Sequence, residues 1–236
     1  MDTAVLLAAG QGSRLRPSAR FKPLCRVAGA TLIEHAISGL AKVGIARVVV
    51  VTGYGANEVE AYLDNREWPV RVDVVRTTDW SLPNGVSALA AAPLVGPAGA
   101  VLAMCDHLVD PLLYARLAMV GAQSGLVLGV DRRLGHPWVD PDDVTCVRTR
   151  GNKIVAIGKG LALHDSYDTG IFAVGMPFFA ALASLSAPSI TDAVRLLAET
   201  EAATVADCTG LDWIDVDDAT ALAHAEAGVR AGLFIG

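Results

Sequence analysis

The sequence predicts an α/β fold built on a mostly parallel sheet. Three observations carry that reading. The apolar runs Thr3–Ala8, Arg47–Val51 and Ala100–Met104 are short and lack alternation, as in strands buried on both faces. Segments of helical spacing lie between these runs. A β-α-β-α rhythm of this kind implies right-handed crossovers, with ligands bound beyond the carboxyl ends of the strands.

In chain order, Thr3–Ala8 empties into Ala9-Gly10-Gln11-Gly12-Ser13-Arg14-Leu15, followed by Lys22-Pro23-Leu24. Thr31 and Glu34 form a capping-box pattern, and Leu32, Ile33, Ala36, Ile37 and Leu40 then recur at helical spacing up to Gly44. Thr52-Gly53-Tyr54-Gly55 turns the chain into a helix over about Asn57 to Leu63. Val70 to Val75 alternates as a strand, Thr77 to Asn84 is a polar loop, and Gly85 to Ala92 reads as a helix. Cys105-Asp106-His107 follows the run Ala100–Met104. Asp110-Pro111 reads as an N-cap with proline at the first helical position, opening a helix to about Val120.

The second half changes character. Gly125 to Val130 is a further strand, and Asp131 to Asp143 is a Pro-, Asp- and Arg-rich loop. Val144–Arg148 and Lys153–Ile157 flank Gly151-Asn152 as a hairpin. Asp168-Thr169-Gly170 precedes a strand at Ile171–Val174, Ser189 or Thr191 caps a helix through Leu197, and Trp213–Asp218 leads into a helix over about Ala219 to Ala231. The reading is one domain, 1–236, with a substrate-covering insertion around 131–168.

Composition narrows the function. Of 236 residues, 53% are hydrophobic and 19% charged, a globular balance. No run is long and apolar enough for a membrane span, and the N-terminus carries no basic segment ahead of a cleavage site. The net charge is −6 without a Lys/Arg cluster, which excludes nucleic acid as a main partner but leaves small anions open. The cysteines Cys25, Cys105, Cys146 and Cys208 are widely spaced, as reduced thiols of a cytoplasmic protein are.

The residues suggest chemistry, with plainer readings beside it. Gly10 and Gly12 let backbone N–H groups approach a phosphate, and Arg14 and Lys22 supply cationic charge; an ordinary strand-to-helix turn is the alternative. Asp106 ends an apolar strand as a candidate Mg²⁺ ligand, or else as a cap or salt-bridge partner. Asp217 follows another short strand, crowded by Asp215 and Asp218; a solvated helix start explains these acids equally well. Lys159 and Asp168 read as surface charges or as contacts to a second anion, and His107 as a ligand or base or as a structural residue. Asn84-Gly85 is a turn or an amide that reads a base. Together they describe a site for a nucleotide, a divalent ion and a second anion, suited to transfer between phosphates. Such transfer needs alignment and charge neutralisation more than a strong base.

Leu7-Ala8-Ala9-Gly10-Gln11-Gly12-Ser13-Arg14-Leu15 with Lys22-Pro23-Leu24 resembles the signature of the sugar-phosphate nucleotidylyltransferase superfamily. Gly29, Leu32–His35, Val51–Tyr54, Asn84–Ser87, Asp106-His107, Gly158-Lys159, Asp168–Gly170 and Trp213–Asp217 extend the resemblance along most of the chain. Within the superfamily it looks most like cytidylyltransferases acting on small alcohol phosphates, inositol-1-phosphate cytidylyltransferase above all. Phe21 before Lys22, where Pro is common, and Cys105, where Gly is frequent, depart from the pattern.

The resemblance implies a Rossmann-like three-layer sandwich with a mostly parallel mixed sheet, of the nucleotide-diphospho-sugar transferase type. It implies CTP as nucleoside triphosphate, a phosphorylated small alcohol as acceptor and Mg²⁺ as cofactor. Leu7 and the backbone of Ala8 to Gly12 would hold the nucleotide, with Ser13, Arg14 and Lys22 on its phosphates and Gly53, Asn84 and Ser87 near base and ribose. Asp106 and Asp217 would hold the metal, with Asp215 an alternative second ligand. Lys159, Asp168 and Thr169 would face the acceptor. In the inositol branch this domain is often fused to a membrane phosphotransferase; none occurs in this chain, so a stand-alone soluble enzyme, with a homodimer open to it, is the expectation. Rival readings are a UTP or dTTP sugar-1-phosphate nucleotidylyltransferase, a phosphocholine or aminoalkylphosphonate cytidylyltransferase, and a dinucleotide-binding oxidoreductase. A choline site would draw its aromatic cage from Trp80, Trp138, Tyr167 and Trp213. Leu15 stands where the oxidoreductase fingerprint needs its third glycine.

Overall fold

The computed structural model describes residues 1–122 and 125–234. The first strand, β1 (Thr3–Ala8), leads through tight turns at Ser13–Leu15 and Lys22–Leu24 to a small ladder of β2 (Arg26–Val27) and β3 (Ala30–Thr31). α1 (Leu32–Lys42) starts at Thr31, whose hydroxyl accepts from the Glu34 N–H while the Glu34 carboxylate accepts from the Thr31 N–H. β4 (Arg47–Thr52), α2 (Ala56–Asp64), β5 (Arg71–Arg76), α3 (Asn84–Ala90) and β6 (Ala100–Met104) follow. After them come β7 (His107–Val109), α4 (Pro111–Val120), β8 (Leu126–Asp131) and the hairpin of β9 (Thr145–Arg150) and β10 (Lys153–Lys159). The chain closes with β11 (Ser166–Val174), α5 (Met176–Ala183), α6 (Ile190–Glu199), β12 (Ala203–Asp207), β13 (Trp213–Asp215) and α7 (Ala219–Arg230).

The main sheet runs β5-β4-β1-β6-β11-β8-β12-β10-β9. Its β5-β4-β1-β6 half is parallel, β11 lies antiparallel between β6 and β8, and β12 is parallel to β8. The chain winds outward from β1 to β5, then returns to place β6 on the other side of β1. That reversal between β1 and β6 is where an open α/β sheet forms a ligand crevice. One core cluster packs α1, α2, α4 and α7 against one face, and a second packs α3, α5 and α6 against the other. The three-layer α/β expectation is met. The mixed sheet follows from β11, whose buried run crosses the middle of the sheet in the opposite sense.

Several expectations need correction. Asp168-Thr169-Gly170 lies inside β11, not before it, at a register shift between Asp168 and Phe172. The segment read as a covering insertion divides: 132–144 is irregular, while β9 and β10 extend the main sheet, with Lys153 opposite Thr204 and Tyr167 opposite Cys146. β7, α5 and β12 carry no assignment in the sequence reading. Among the described residues, no helix is long and apolar enough to cross a membrane.

Candidate active site

The glycine-bearing loop after β1 is fixed from both ends. Ala8 lies beside Thr52 in the parallel register, and Leu7 lies beside Met104. At the far end Leu15 is fully buried, which stabilises by about 1.5–3 kcal/mol and offsets the ordering of one or two loop residues. Between them Gly12 takes φ +56°, and a Cβ there would lie 2.5 Å from the Lys22 Cβ. The missing side chain lets the Lys22 stem run beneath the loop. Lys22 is 8% exposed, so its ammonium is delivered from inside rather than from solvent.

A second ladder brings the carboxylates to that ammonium. β7 pairs antiparallel with β13, setting Asp215 opposite His107, and the Val216 N–H donates to the Asp106 carbonyl at 3.0 Å. Residues remote in sequence thereby reach one point. Lys22 Nζ stands 2.6 Å from Asp106 Oδ2 and 3.7 Å from Asp215 Oδ1, and it is ion-paired with Asp217 as well. Arg14 reaches Asp217 Oδ2 and Asp143 Oδ2, each at 2.5 Å, and Lys159 pairs with the other oxygen of Asp143.

The electrostatics follow. Burial works against the Lys22 charge, but Asp106 and Asp215 outweigh it and raise the ammonium pKa. Burial likewise opposes ionisation of Asp106, and Lys22 and His107 pull its pKa below the usual value. His107 Nδ1–H donates to the Thr169 carbonyl at 2.9 Å, which turns Nε2 towards Asp215 Oδ2 at 3.6 Å and Asp106 Oδ1 at 4.0 Å. Burial disfavours its charge, and the Asp215 carboxylate overrides burial to carry the pKa to about 9. The imidazole fits only because Gly170, at φ +76°, has no Cβ; one would lie 2.2 Å from Nδ1.

Among the described residues, Asp106, His107 and Asp215 form the group whose ligand atoms lie within 4.8 Å of one another. Asp215 Oδ1 is buried without a hydrogen-bond donor. Carboxylate oxygens converging on one cationic position, with an oxygen still unused, suit a hard divalent cation.

Beyond this cluster opens a cavity of about 470 Å³, which Asn84, Trp138, Asp143, Lys159, Asp168 and Trp213 help to line. Burial pushes the Asp168 carboxyl up to about 6, although its Oδ1 accepts from the Gly170 N–H at 2.7 Å. Trp213 is held in place by its indole N–H, which donates to buried Asp131 at 2.9 Å.

Arg14, Lys22, Asp106, Asp215 and Asp217 are thus brought into one network, and Lys159 joins it through Asp143. Gly10 and Ser13 are exposed on the loop, Leu7, Ala8 and Ala9 are buried behind it, and Gly53 is joined to it because the Tyr54 N–H donates to the Ala9 carbonyl at 2.9 Å. Asn84 lines the cavity, but its Oδ1 already accepts from the Ile190 N–H at 2.9 Å. Ser87 is buried on α3. Thr169 does not offer its hydroxyl to an acceptor: the side chain is fully buried and Oγ1 donates to the Gly129 carbonyl at 2.8 Å, leaving only its own carbonyl, on His107, near the site. Asp143 was missed. One aspartate among Asp140, Asp142 and Asp143 carries no local signal, and its partners lie on other elements.

With this geometry in place, comparison with known proteins defines the class. Residues 4–156 match the MobA-like NTP transferase domain, and the chain belongs to that family of nucleotidyltransferases. It is 37% identical to a bifunctional IPC transferase and DIPP synthase of Rubrobacter xylanophilus over 91% of this chain and 49% of that protein. It is 32% identical to a 2-aminoethylphosphonate cytidylyltransferase of Lancefieldella rimae, over 75% of this chain and 67% of the relative. The chain spans about half the length of the bifunctional relatives it matches. Its fold is that of an inositol-1-phosphate CTP transferase from T. maritima, with TM-score 0.85, 24% identity and coverage of 99% and 98% of the two chains. It is also that of a UTP-bound UGPase from Acinetobacter baumannii, with TM-score 0.77, 19% identity and coverage of 97% and 93%. Family membership sets the oxidoreductase alternative aside.

Proposed function

We propose that the chain is a Mg²⁺-dependent cytidylyltransferase that joins the CMP of CTP to a small phosphorylated alcohol, inositol 1-phosphate first among them, and releases pyrophosphate. The observation that carries this reading is the Lys22 ammonium seated among Asp106, Asp215 and Asp217 at the rim of a glycine-bearing loop. The names of the similar bifunctional relatives and of the T. maritima transferase support the choice of acceptor and nucleotide.

On this reading Asp106 and Asp217, with the unpartnered Asp215 oxygen as the alternative second ligand, would hold Mg²⁺, which supplies charge neutralisation at the α-phosphate when bound. The chain's own groups do the rest. The loop N–H groups with Ser13, Arg14 and Lys22 bind the triphosphate and stabilise the charge on departing pyrophosphate. Lys159 holds the acceptor phosphate, and Asp168 accepts hydrogen bonds from the alcohol hydroxyls. An acceptor phosphate oxygen attacks the α-phosphorus, the bond from that phosphorus to the bridging oxygen breaks, and pyrophosphate leaves with the electron pair. No general base is required, because the nucleophile is already anionic.

A second reading rests on a specific observation. Asp140, Asp168 and Asp215 line the cavity with Trp138 and Trp213, a combination that also suits a cationic acceptor such as phosphocholine or an aminoalkylphosphonate. One screen separates the readings: pyrophosphate release measured for CTP, UTP, dTTP, ATP and GTP, each against polyol, sugar, choline and phosphonate acceptors. The proposal expects CTP with inositol 1-phosphate to be fastest, and release to stop when Mg²⁺ is chelated. Preference for phosphocholine or 2-aminoethylphosphonate selects the second reading, and no release with any pair would falsify both.

A further inference from the structure

Phe234 lies in the left-handed region at φ +63°, a strained conformation for a bulky residue, and is 6% exposed. The turn after α7 puts it there: the Leu233 N–H donates to the Gly228 carbonyl at 3.0 Å, folding the chain back onto its own helix. Gly228 opens the seat, since a Cβ on it would lie 2.5 Å from Phe234 Cε2. Strain of this kind costs on the order of 1–3 kcal/mol and persists only where the surroundings over-determine it. The aromatic neighbour that Phe234 meets is Trp138, with ring centroids 5.7 Å apart and planes tilted by 47°.

Trp138 stands on the irregular 132–144 segment, where no strand or helix fixes a side chain. Rings fix it instead. His136 meets it edge-on at 5.3 Å and 77°, Phe234 packs against it, and the indole lines the cavity. The same segment carries the partner of an acceptor-side cation. The Asp143 and Val144 N–H groups donate to the Asp140 carbonyl at 3.2 and 2.9 Å, a tight turn just after Trp138, and Asp143 pairs with Lys159. Lys159, Trp138, Asp140 and Asp168 line one cavity. An acceptor whose phosphate replaces Asp143 on Lys159 has its organic part in reach of the indole.

A flat apolar wall bordered by carboxylates suits a ring with an apolar face and hydroxyls around its edge. The face lies on the indole, and the hydroxyls donate to Asp140 and Asp168. An open-chain alcohol phosphate offers no such face. We propose that Trp138 is a specificity-determining residue that selects cyclic over open-chain alcohol phosphates, and that Phe234 is the positioning residue that holds its indole against the cavity. The inference rests on the nucleotidyl-transfer reading.

The test is pyrophosphate release at saturating CTP by wild type, Trp138→Leu, Trp138→Phe, Phe234→Leu and the double variant Trp138→Leu/Phe234→Leu. Leucine keeps apolar bulk in both seats, so the fold is preserved while the ring face is lost. The readouts are the KM for inositol 1-phosphate, the Ki of glycerol 3-phosphate as an open-chain competitor, the KM for CTP and kcat. Trp138→Leu is expected to raise the inositol 1-phosphate KM about three- to tenfold, the range of one aromatic contact. The Ki of glycerol 3-phosphate, the CTP KM and kcat should stay within about twofold of wild type. Trp138→Phe, which keeps an aromatic face, should restore most of the loss. Phe234→Leu should raise the same KM by less, and add nothing in the double variant. An unchanged inositol 1-phosphate KM in Trp138→Leu overturns the specificity role, as does an equal weakening of glycerol 3-phosphate. Full additivity in the double variant overturns the positioning role of Phe234. If wild type releases pyrophosphate from no pair of nucleotide and acceptor, the nucleotidyl-transfer reading itself fails and the inference falls with it.

Discussion

The two ends of the candidate site are built differently. At the nucleotide end the groups are set by backbone register: β1 beside β4 and β6, and β7 against β13, bring buried Lys22 onto Asp106 and Asp217. Where the loop meets the cavity the cations stand in solvent. The Arg14 and Lys159 side chains are 51% and 60% exposed, and both are tied to Asp143 from the irregular 132–144 segment. The first end is organised by folding itself. The second is organised by ion pairs that a phosphate bound as proposed would replace. Loss of a charge should therefore be severe at one end and mild at the other.

The largest effect should come from Asp106→Asn. Removing a half-buried carboxylate charge from the proposed metal position should lower kcat by about 10²–10³-fold, while circular dichroism stays that of wild type. Wild-type turnover would remove Asp106 from the chemistry.

Lys22→Ala comes next and acts on stability as well as rate. It leaves Asp106, Asp215 and Asp217 without their shared ammonium, while Arg14 still pairs with Asp217 and His107 stands by Asp215. The carboxylates are partly exposed, so the cost should fall below the about 3–5 kcal/mol of a fully buried pair. Added Mg²⁺ should then raise the Tm of Lys22→Ala more than that of wild type. Equal shifts would show that the carboxylates do not share a cation position.

Asp168→Asn should be smaller and dependent on pH. The folded pKa, about 6, lies above the unfolded value of about 4, so the native state binds the proton more tightly. Stability from this group is therefore greatest below pH 4 and falls as pH rises to 6. The amide variant should melt higher than wild type at pH 8, by on the order of 2–4 °C, with the gap closing towards pH 4. A gap independent of pH would contradict the assignment.

Asp143→Asn should be the mildest. Exposed ion pairs contribute about 0–1 kcal/mol, so Tm should barely move. With Lys159 released, the KM for the acceptor phosphate should fall a few-fold, and with Arg14 released that for CTP should fall as well, more clearly at low salt. A large loss of stability would place Asp143 with the register-built half.

The same contrast explains what could be read from the sequence. The phosphate loop, the Thr31–Glu34 capping box, the Asp110-Pro111 helix start and Asp106 after β6 are signals carried within a few residues. β7 has three residues, too few for a period, yet it aligns His107 with Asp215. α5, MPFFAALA, follows β11 as an almost unbroken apolar stretch, so periodicity cannot separate them. Thr169 shows the limit from the other side. Asp168-Thr169-Gly170 marks the site, but only the β11 register reveals that Asp168 faces the cavity, Thr169 bonds into the sheet and Gly170 makes room for His107. Asp143 is legible only once three elements have met.

Asp106 and Asp217 are proposed to form a divalent-cation site whose position Lys22 shares. Electron paramagnetic resonance of Mn²⁺, standing in for Mg²⁺, tests it most directly in wild type, Asp106→Asn and Asp217→Asn, each with CTP present. The account predicts a bound Mn²⁺ signal in wild type that is lost or weakened at least tenfold in both variants, about 1.4 kcal/mol or more of binding. Undiminished Mn²⁺ binding in Asp106→Asn would contradict it.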